Sequence, residues 1–299
     1  MATIRAARLA DLQAVVAVMR AADEASLGEP DTTEADILNG WQESGFDVER
    51  DAVVAVDEGR LVGYAEVYDR GQGVVDLDVV TPPGVADDIA AALLDEALGR
   101  ARGRFRKGTV LSTWLPVGDP KLQTYADAGF TQRRTFLRMR LDLDNRPRQA
   151  SPPQGLRIVP FRPGADEATV HRVLVDAFSD HVRPLTPQLD RFVEQHVHHP
   201  DFDAELWGVA WEGEHAVGAI TVFDHGDLGF VRHVGVRADR RGRGIASALI
   251  TWAADVLHGR GQTRVDLGVD LDDDVKAAAL YERLGFHTVQ RLRLVERSL

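Results

Sequence analysis

Cysteine is absent from the 299 residues of this chain. Its absence excludes a disulfide framework, a thiolate nucleophile and any thiolate metal site. Lysine is almost absent: Lys107, Lys121 and Lys276 are the only ones, and arginine carries the rest of the positive charge. No run reaches the roughly 18 apolar residues that a membrane span needs. The N-terminus lacks the charged and apolar regions of a secretory signal, so the cytoplasm is the expected location and no membrane partner is expected. Acidic residues outnumber basic ones, 47 Asp and Glu against 35 Lys and Arg, for a formal net charge of −12. Bulk nucleic-acid binding draws on many Lys and Arg contacts to phosphate, so it is not expected either. What is plentiful, Ala, Val, Asp, Gly and Arg, is the composition of a high-GC bacterial gene.

The chain repeats itself. "YADAGF" (Tyr125–Phe130) and "YERLGF" (Tyr281–Phe286) share a Tyr-x-x-x-Gly-Phe pattern 156 residues apart. "VVDLDVV", ending at Val80, and "FVRHVGV", ending at Val236, are separated by the same interval. Between these anchors the halves align without a gap, which is the signature of one fold used twice. The expected division is a first domain over 1–146, a linker over 147–155 and a second domain over 156–299. The linker is placed by Pro147, Pro152, Pro153 and Gly155, which break any periodic pattern. Within each half a short strand precedes an amphipathic helix. Two hairpin strands follow, "AVVAVDEGRLVGYAEVY" and "LWGVAWEGEHAVGAITVF". A third strand then runs straight into a helix. In the second half that helix places Ile245, Ala248, Leu249, Trp252, Ala253 and Val256 at the 3.6-residue spacing of a buried face. The pattern predicts a mixed α/β fold with hairpins in front and a strand–helix crossover behind.

"RADRRGRGIASALI" (Arg237–Ile250) joins the third strand to that helix. The two glycines and three arginines of "RRGRG" (Arg240–Gly244) make a poor helix start by propensity, since glycine costs about 1 kcal/mol relative to alanine. They suit an anion, because the first N–H groups of a helix point outward and its dipole is positive there. Gly242, Gly244 and Ala246 let a diphosphate reach the backbone, and Arg240, Arg241 and Arg243 add guanidinium groups suited to phosphate. The spacing fits neither a Walker loop nor a dinucleotide fingerprint. A basic helix start kept for solubility is the plainer reading, and the placement between strand and amphipathic helix weighs against it.

"VGVRADRRGRGIASALI", followed by "AAALYERLGF", resembles the GCN5-related N-acetyltransferases. Their Arg/Gln-x-x-Gly-x-Gly/Ala motif is met by Arg241, Gly244 and Ala246. The resemblance extends over both halves, in the manner of tandem acetyltransferases of the mycothiol synthase type. It implies two tandem folds of that family, each a mixed, largely antiparallel twisted sheet flanked by helices. It also implies that acetyl-CoA is the co-substrate, with its pyrophosphate cradled by residues 240–247, including Ile245 and Ser247. Val234 and Val236 would then line the pantetheine arm, with the backbone N–H near Val236 polarising the thioester. Tyr281 matches the tyrosine that protonates the departing thiolate, while Asp274 stands where the family often has asparagine.

In the first half the same alignment puts Asp88 opposite Gly244 and Val85 opposite Arg241. Two carboxylates, Asp87 and Asp88, would therefore stand where a diphosphate needs positive potential, so this half is expected to have lost acetyl-CoA binding. Acetyl transfer to an amine needs a neutral amine, a stabilised oxyanion and a proton for the leaving thiolate. His233, on the strand before the turn, is the expected base, since an unperturbed imidazole near 6.5 suits the task. A hydrogen-bonded core histidine is the competing reading. Asp266, Asp270, Asp224, His225 and Asp227 are rival bases, and Asp266 with His181 is expected to shape the acceptor pocket. His196, His198 and His199 in "QHVHHPD" invite a metal, but no further ligand completes a site by spacing and none is expected. The leading expectation is an N-acetyltransferase for a primary amine of a small molecule, such as an amino sugar, an antibiotic or an amino-acid conjugate. The alternative is a non-catalytic acyl-CoA-binding sensor.

Overall fold

The structure is a computed structural model and describes residues 2–71, 73–146, 152–179, 185–226, 228–272 and 275–299. It resolves into two compact units, Met1–Phe136 with Gln290–Leu299, and Leu137–Val289. The first contains β1 (Thr3–Ala6), α1 (Leu12–Leu27), α2 (Glu34–Gln42), α3 (Val48–Asp51), β2 (Ala52–Asp57), β3 (Arg60–Gly71) and β4 (Val74–Val80). It continues through α4 (Asp87–Arg104), β5 (Val110–Pro116) and α5 (Lys121–Asp127) into β6 (Thr131–Asp142). The second contains β7 (Leu156–Pro160), α6 (Glu167–Ala177), α7 (Leu189–Phe192), β8 (Gly208–Glu212), β9 (His215–Asp224) and β10 (Leu228–Val236). After β10 come α8 (Ile245–Gly259), β11 (Arg264–Asp270), α9 (Val275–Arg283) and β12 (His287–Ser298).

The expected boundary, in 147–155, differs from this division. The units part inside β6, and most of β12 is counted with the first unit. The reason lies in where the apolar side chains go. Leu137, Met139, Leu141 and Leu143 fill the core of the second unit, and Val295 that of the first. Residues 147–151 of the expected linker lie outside the described residues.

Each unit has the same sheet plan. In the first, β1, β2, β3 and β4 pair antiparallel in sequence, β4 pairs parallel with β5, and β5 pairs antiparallel with β12. In the second, β7, β8, β9 and β10 pair antiparallel and β10 pairs parallel with β11. Antiparallel neighbours need only short hairpins, whereas the parallel pair requires the crossover helix, α4 or α8. Alternating side chains feed both faces of each sheet. Along β9, Ile220 and Val222 pack with Ile245 and Leu249 of α8, while Ala219 and Phe223 pack with Val170, Val173 and Leu174 of α6. The buried face of α8 includes Ile245, Ala248, Leu249 and Ala253, as the periodicity predicts. No helix among the described residues is long and apolar enough to cross a membrane.

Two backbone features set the position of the site. The parallel pairing of β10 with β11 runs from Leu228↔Arg264 to Val231↔Leu267, although the strands themselves continue to Val236 and Asp270. The sheet therefore parts on the C-terminal side of Val231. The repeat does the same, pairing β4 with β5 only from Val74↔Val110 to Asp76↔Ser112. Secondly, α6 approaches β10 so closely that a Cβ on Gly235 would stand 2.8 Å from the Ala177 Cβ. Glycine at 235 is therefore a packing requirement.

Candidate active site

Beyond the parting of β10 and β11, the chain leaves Val236, makes a short 3-10 turn over Ala238–Arg240 and enters α8. Gly242 and Gly244 both have positive φ, +75° and +80°. That left-handed region is where residues other than glycine are strained. Gly244 is the N-cap of α8 and has no side chain to bond the first N–H groups. The first intrahelical bond is Ala248 N–H to the Gly244 carbonyl at 3.0 Å. The N–H groups of Ile245, Ala246 and Ser247 thus fall in the first turn, where an α-helix offers no partner of its own. A Cβ built on Gly242 meets nothing within 4 Å, and one on Gly244 meets only the Pro153 Cγ at 3.6 Å. The turn presents bare backbone donors to open space, an arrangement that fits a diphosphate.

The arginines of the turn are already engaged. Arg241 donates from Nη2 to the Ala177 carbonyl at 2.8 Å and from Nε to the Val236 carbonyl at 3.3 Å. It ties the turn to the C-terminus of α6, where a cation also suits the helix dipole. This corrects the expectation that its guanidinium is there for phosphate: Arg241 braces the loop. Arg240 and Arg243 both reach Glu212, at 3.1 Å each, from the solvent side.

In the first half the same interval is built differently. Its helix, α4, starts at Asp87, which corresponds to Arg243, two positions earlier than α8 does. Asp87 and Asp88 lie within its first turn, and the N-cap, Ala86, makes no side-chain bond. The counterparts of Arg243 and Gly244, Asp87 and Asp88, are helical here and acidic, and that of Gly242, Ala86, is the extended N-cap.

His233 stands just after a bulge in β10, where the register passes from Val231↔Val222 to His233↔Thr221. Bulges re-aim side chains next to active sites. Its Nδ1 lies 3.2 Å from the Thr221 hydroxyl, and its ring is flanked by Phe178 and His196. The residue is half-buried, and burial together with the neighbouring Arg232 pushes its pKa down to about 3. The expected value near 6.5 is therefore not met. The imidazole is neutral at every ordinary pH and is a weak proton acceptor.

His196 missed notice as a neighbour of His233, because 37 residues separate them. It lies in a π-helical turn, Val193–Val197, a distortion often found at functional sites. Its ring is buried among Phe192, Phe223 and His233, and burial followed by the histidine neighbour holds its pKa well below the usual range. His199 stacks on Phe223 instead, and His198 is exposed.

Asp266 does not face an acceptor. It is fully buried, and its two oxygens accept from Arg138 at 2.7 Å and from Arg140 at 2.7 and 2.8 Å. This corrects its expected substrate role to that of a buried ion-pair centre. Val234 and Val236 lie on the stretch of β10 beyond the parting. Tyr281 is on α9, buried, with its ring 5.9 Å from that of Phe286. Its counterpart in the repeat, Tyr125, spends its hydroxyl on the Leu77 carbonyl at 2.9 Å, a packing role. His181, Asp227 and Asp274 lie outside the described residues.

Residues 169–286 match the model of the acetyltransferase (GNAT) family. The chain is also 30% identical over 295 residues to a mycothiol acetyltransferase of Geodermatophilus obscurus, covering 93% of this chain and 91% of that one. This chain belongs to the GNAT acetyltransferases. A mycothiol acetyltransferase of Streptomyces coelicolor is 32% identical over 254 residues, 79% of this GNAT chain and 76% of its own. Among solved structures, a GCN5-related N-acetyltransferase from Sphaerobacter thermophilus superposes with a TM-score of 0.84 at 27% identity, covering 99% of this chain and 95% of that one. A tandem GNAT protein from the clavulanic acid biosynthesis pathway shares the fold, with a TM-score of 0.75 at 16% identity and coverage of 100% and 98%. The protein is thus a tandem GNAT enzyme, an acetyl-CoA-dependent N-acetyltransferase.

Proposed function

We propose that the second half is the working half and that it acetylates a primary amine of a small molecule. The observation that carries this reading is the turn at Gly242 and Gly244, with bare first-turn donors at the head of α8. The first half lacks that turn and has Asp87 and Asp88 in its place, so its role is structural. Acetyl-CoA supplies the activated acyl group. The backbone of residues 240–247 holds its diphosphate, and Val234 and Val236 border its arm where the sheet parts. Asp274 is the remaining position assigned to the arm, and His181 is assigned to the acceptor. The acceptor class is an amino sugar, an antibiotic or an amino-acid conjugate. The relatives named mycothiol acetyltransferases make a mycothiol-related amine the first to try. The setting proposed is the bacterial cytoplasm, and no metal has a part in the reaction.

Tyr281 gives its proton to the leaving thiolate, a task for a group that still carries its proton at neutral pH, and the proton that the attacking nitrogen loses on forming the amide returns through water to the tyrosinate. His233, with a pKa of about 3, does not store a proton at neutral pH. It serves instead as a neutral hydrogen-bond partner for an amine that arrives unprotonated. Two results follow for steady-state assays with acetyl-CoA and a panel of such amines. Below the pKa of the chosen amine, kcat/KM is expected to fall about tenfold per pH unit, because the neutral fraction falls at that rate. The midpoint moves with the amine, and no inflection near 6.5 belongs to the enzyme. Tyr281→Phe is expected to lower kcat by about a hundredfold, in the range for loss of a general acid. Acetyl-CoA affinity should be unchanged. A Tyr281→Phe variant with wild-type kcat would remove the tyrosine from the chemistry, and no turnover with any amine would favour the acyl-CoA sensor.

A further inference from the structure

Two clusters in the second unit set a carboxylate between two arginines from a distant stretch of chain. Asp266 with Arg138 and Arg140 is closed: the side chains are 0%, 10% and 13% exposed. Glu212 with Arg240 and Arg243 is open, at 25%, 34% and 54%. The Glu212 Oε2 accepts from Arg240 Nε at 3.1 Å and from Arg243 Nη1 at 3.2 Å, while its Oε1 lies 3.1 Å from Arg243 Nη1. A buried cluster of this kind is fixed by the cost of leaving any member unpaired. An exposed one is held loosely, because water and salt compete for each contact.

The open cluster also lies at a particular place. Arg240 and Arg243 bracket Gly242 in the turn whose backbone donors face solvent. Glu212 comes from elsewhere, the end of β8, where it pairs with His215 across the hairpin. Its Oε2 bridges the two guanidinium groups and its Oε1 adds a contact to Arg243, as the oxygens of a phosphate could, since guanidinium groups bind both anions through the same donors. Arg240 has a second partner ready, the Asp239 carboxylate at 2.8 Å. It can therefore exchange Glu212 without being left uncompensated.

We infer that the Glu212 carboxylate stands in for a phosphate of coenzyme A, holding Arg240 and Arg243 until the phosphate displaces it. This rests on the reading that the Gly242–Gly244 turn takes the diphosphate. Glu212 is then a specificity-determining residue. It lowers affinity for every ligand that carries the phosphates and leaves affinity for the pantetheine arm alone untouched. It also keeps the two arginines from holding unrelated anions by charge alone.

The test is calorimetric titration of coenzyme A, and separately of phosphate-free pantetheine, into wild type and Glu212→Gln, with Tm recorded for both. The isosteric amide keeps the side chain's shape and removes the charge, at an exposed site where stability changes little. Coenzyme A is expected to bind Glu212→Gln about threefold to tenfold more tightly, on the scale of one or two exposed ion pairs. Pantetheine should bind both proteins alike. Glu212→Ala should shift coenzyme A in the same direction, which guards against an effect peculiar to the amide. Equal or weaker coenzyme A binding by both variants overturns the inference while leaving the phosphate turn in place, provided wild type prefers coenzyme A to pantetheine. If wild type binds the two ligands equally, the phosphate turn itself fails, and the inference fails with it.

Discussion

Gly244→Asp is expected to abolish acetyl-CoA binding, by a hundredfold or more, while leaving the fold intact. Two effects compete at this position. A side chain at φ +80° is strained, but Asp and Asn tolerate the left-handed region better than other residues. The space is open, with only the Pro153 Cγ near a new Cβ, at 3.6 Å. Against the strain, a carboxylate at the N-cap can accept from the free first-turn N–H groups of α8 and suits the helix dipole, a gain of about 1 kcal/mol. The two nearly cancel in stability. For the ligand they do not cancel, since the new carboxylate takes the donors that the diphosphate requires and repels it. Gly244→Ala separates the contributions, because it adds the strain without the charge. It should weaken binding by less than Gly244→Asp and lower Tm by more. Calorimetric titration and a thermal melt of each variant check both statements. A Gly244→Asp protein that still binds acetyl-CoA would show that the helix start is not where the phosphates sit.

Asp266→Ala is expected to have the largest effect on stability. Both carboxylate oxygens are spent on Arg138 and Arg140, and Asp266 is fully buried. Removing it leaves two guanidinium groups without their shared anion, Arg138 almost wholly inside the protein. Breaking a buried pair from one side costs about 3–5 kcal/mol. In a unit of this size that lowers Tm by about 10 °C. Asp266→Asn should lose less, since the amide oxygen can still accept from one arginine. The measurement is a thermal melt together with the acceptor KM of the surviving enzyme. A normal Tm with a raised acceptor KM would return Asp266 to the substrate-binding role that its sequence position suggests.

The parts of the protein legible in the sequence are those encoded locally. The repeat shows in the Tyr-x-x-x-Gly-Phe pair around Tyr125 and Tyr281, and the helix α8 shows in its apolar spacing. The phosphate turn is legible because positive φ selects glycine at 242 and 244 within a few residues of the helix start. The contrast with Asp87 and Asp88 is local too, and the structure adds that α4 begins earlier there. What escapes is set by partners distant in sequence. The arginines of the turn read as phosphate ligands, yet Arg241 is bound to a carbonyl 64 positions away, and the Glu212 carboxylate that holds Arg240 is 28 positions away. Asp266 reads as a candidate base because its arginines lie 128 and 126 residues earlier. The pKa of His233 depends on how tightly β10, Phe178 and His196 enclose it, which periodicity does not encode. The parting of β10 from β11 is a matter of register, and the division inside β6 is decided by which core its leucines enter. The sequence pattern marks strands without specifying either.

The claim that a single half works is tested most directly by the stoichiometry of acetyl-CoA binding to the intact protein. Titration calorimetry of wild type is expected to give one site per chain, with the Gly244→Asp protein giving none. Two sites per chain, or one site that survives Gly244→Asp, would contradict the account, because the acyl donor would then be held by the half that carries Asp87 and Asp88.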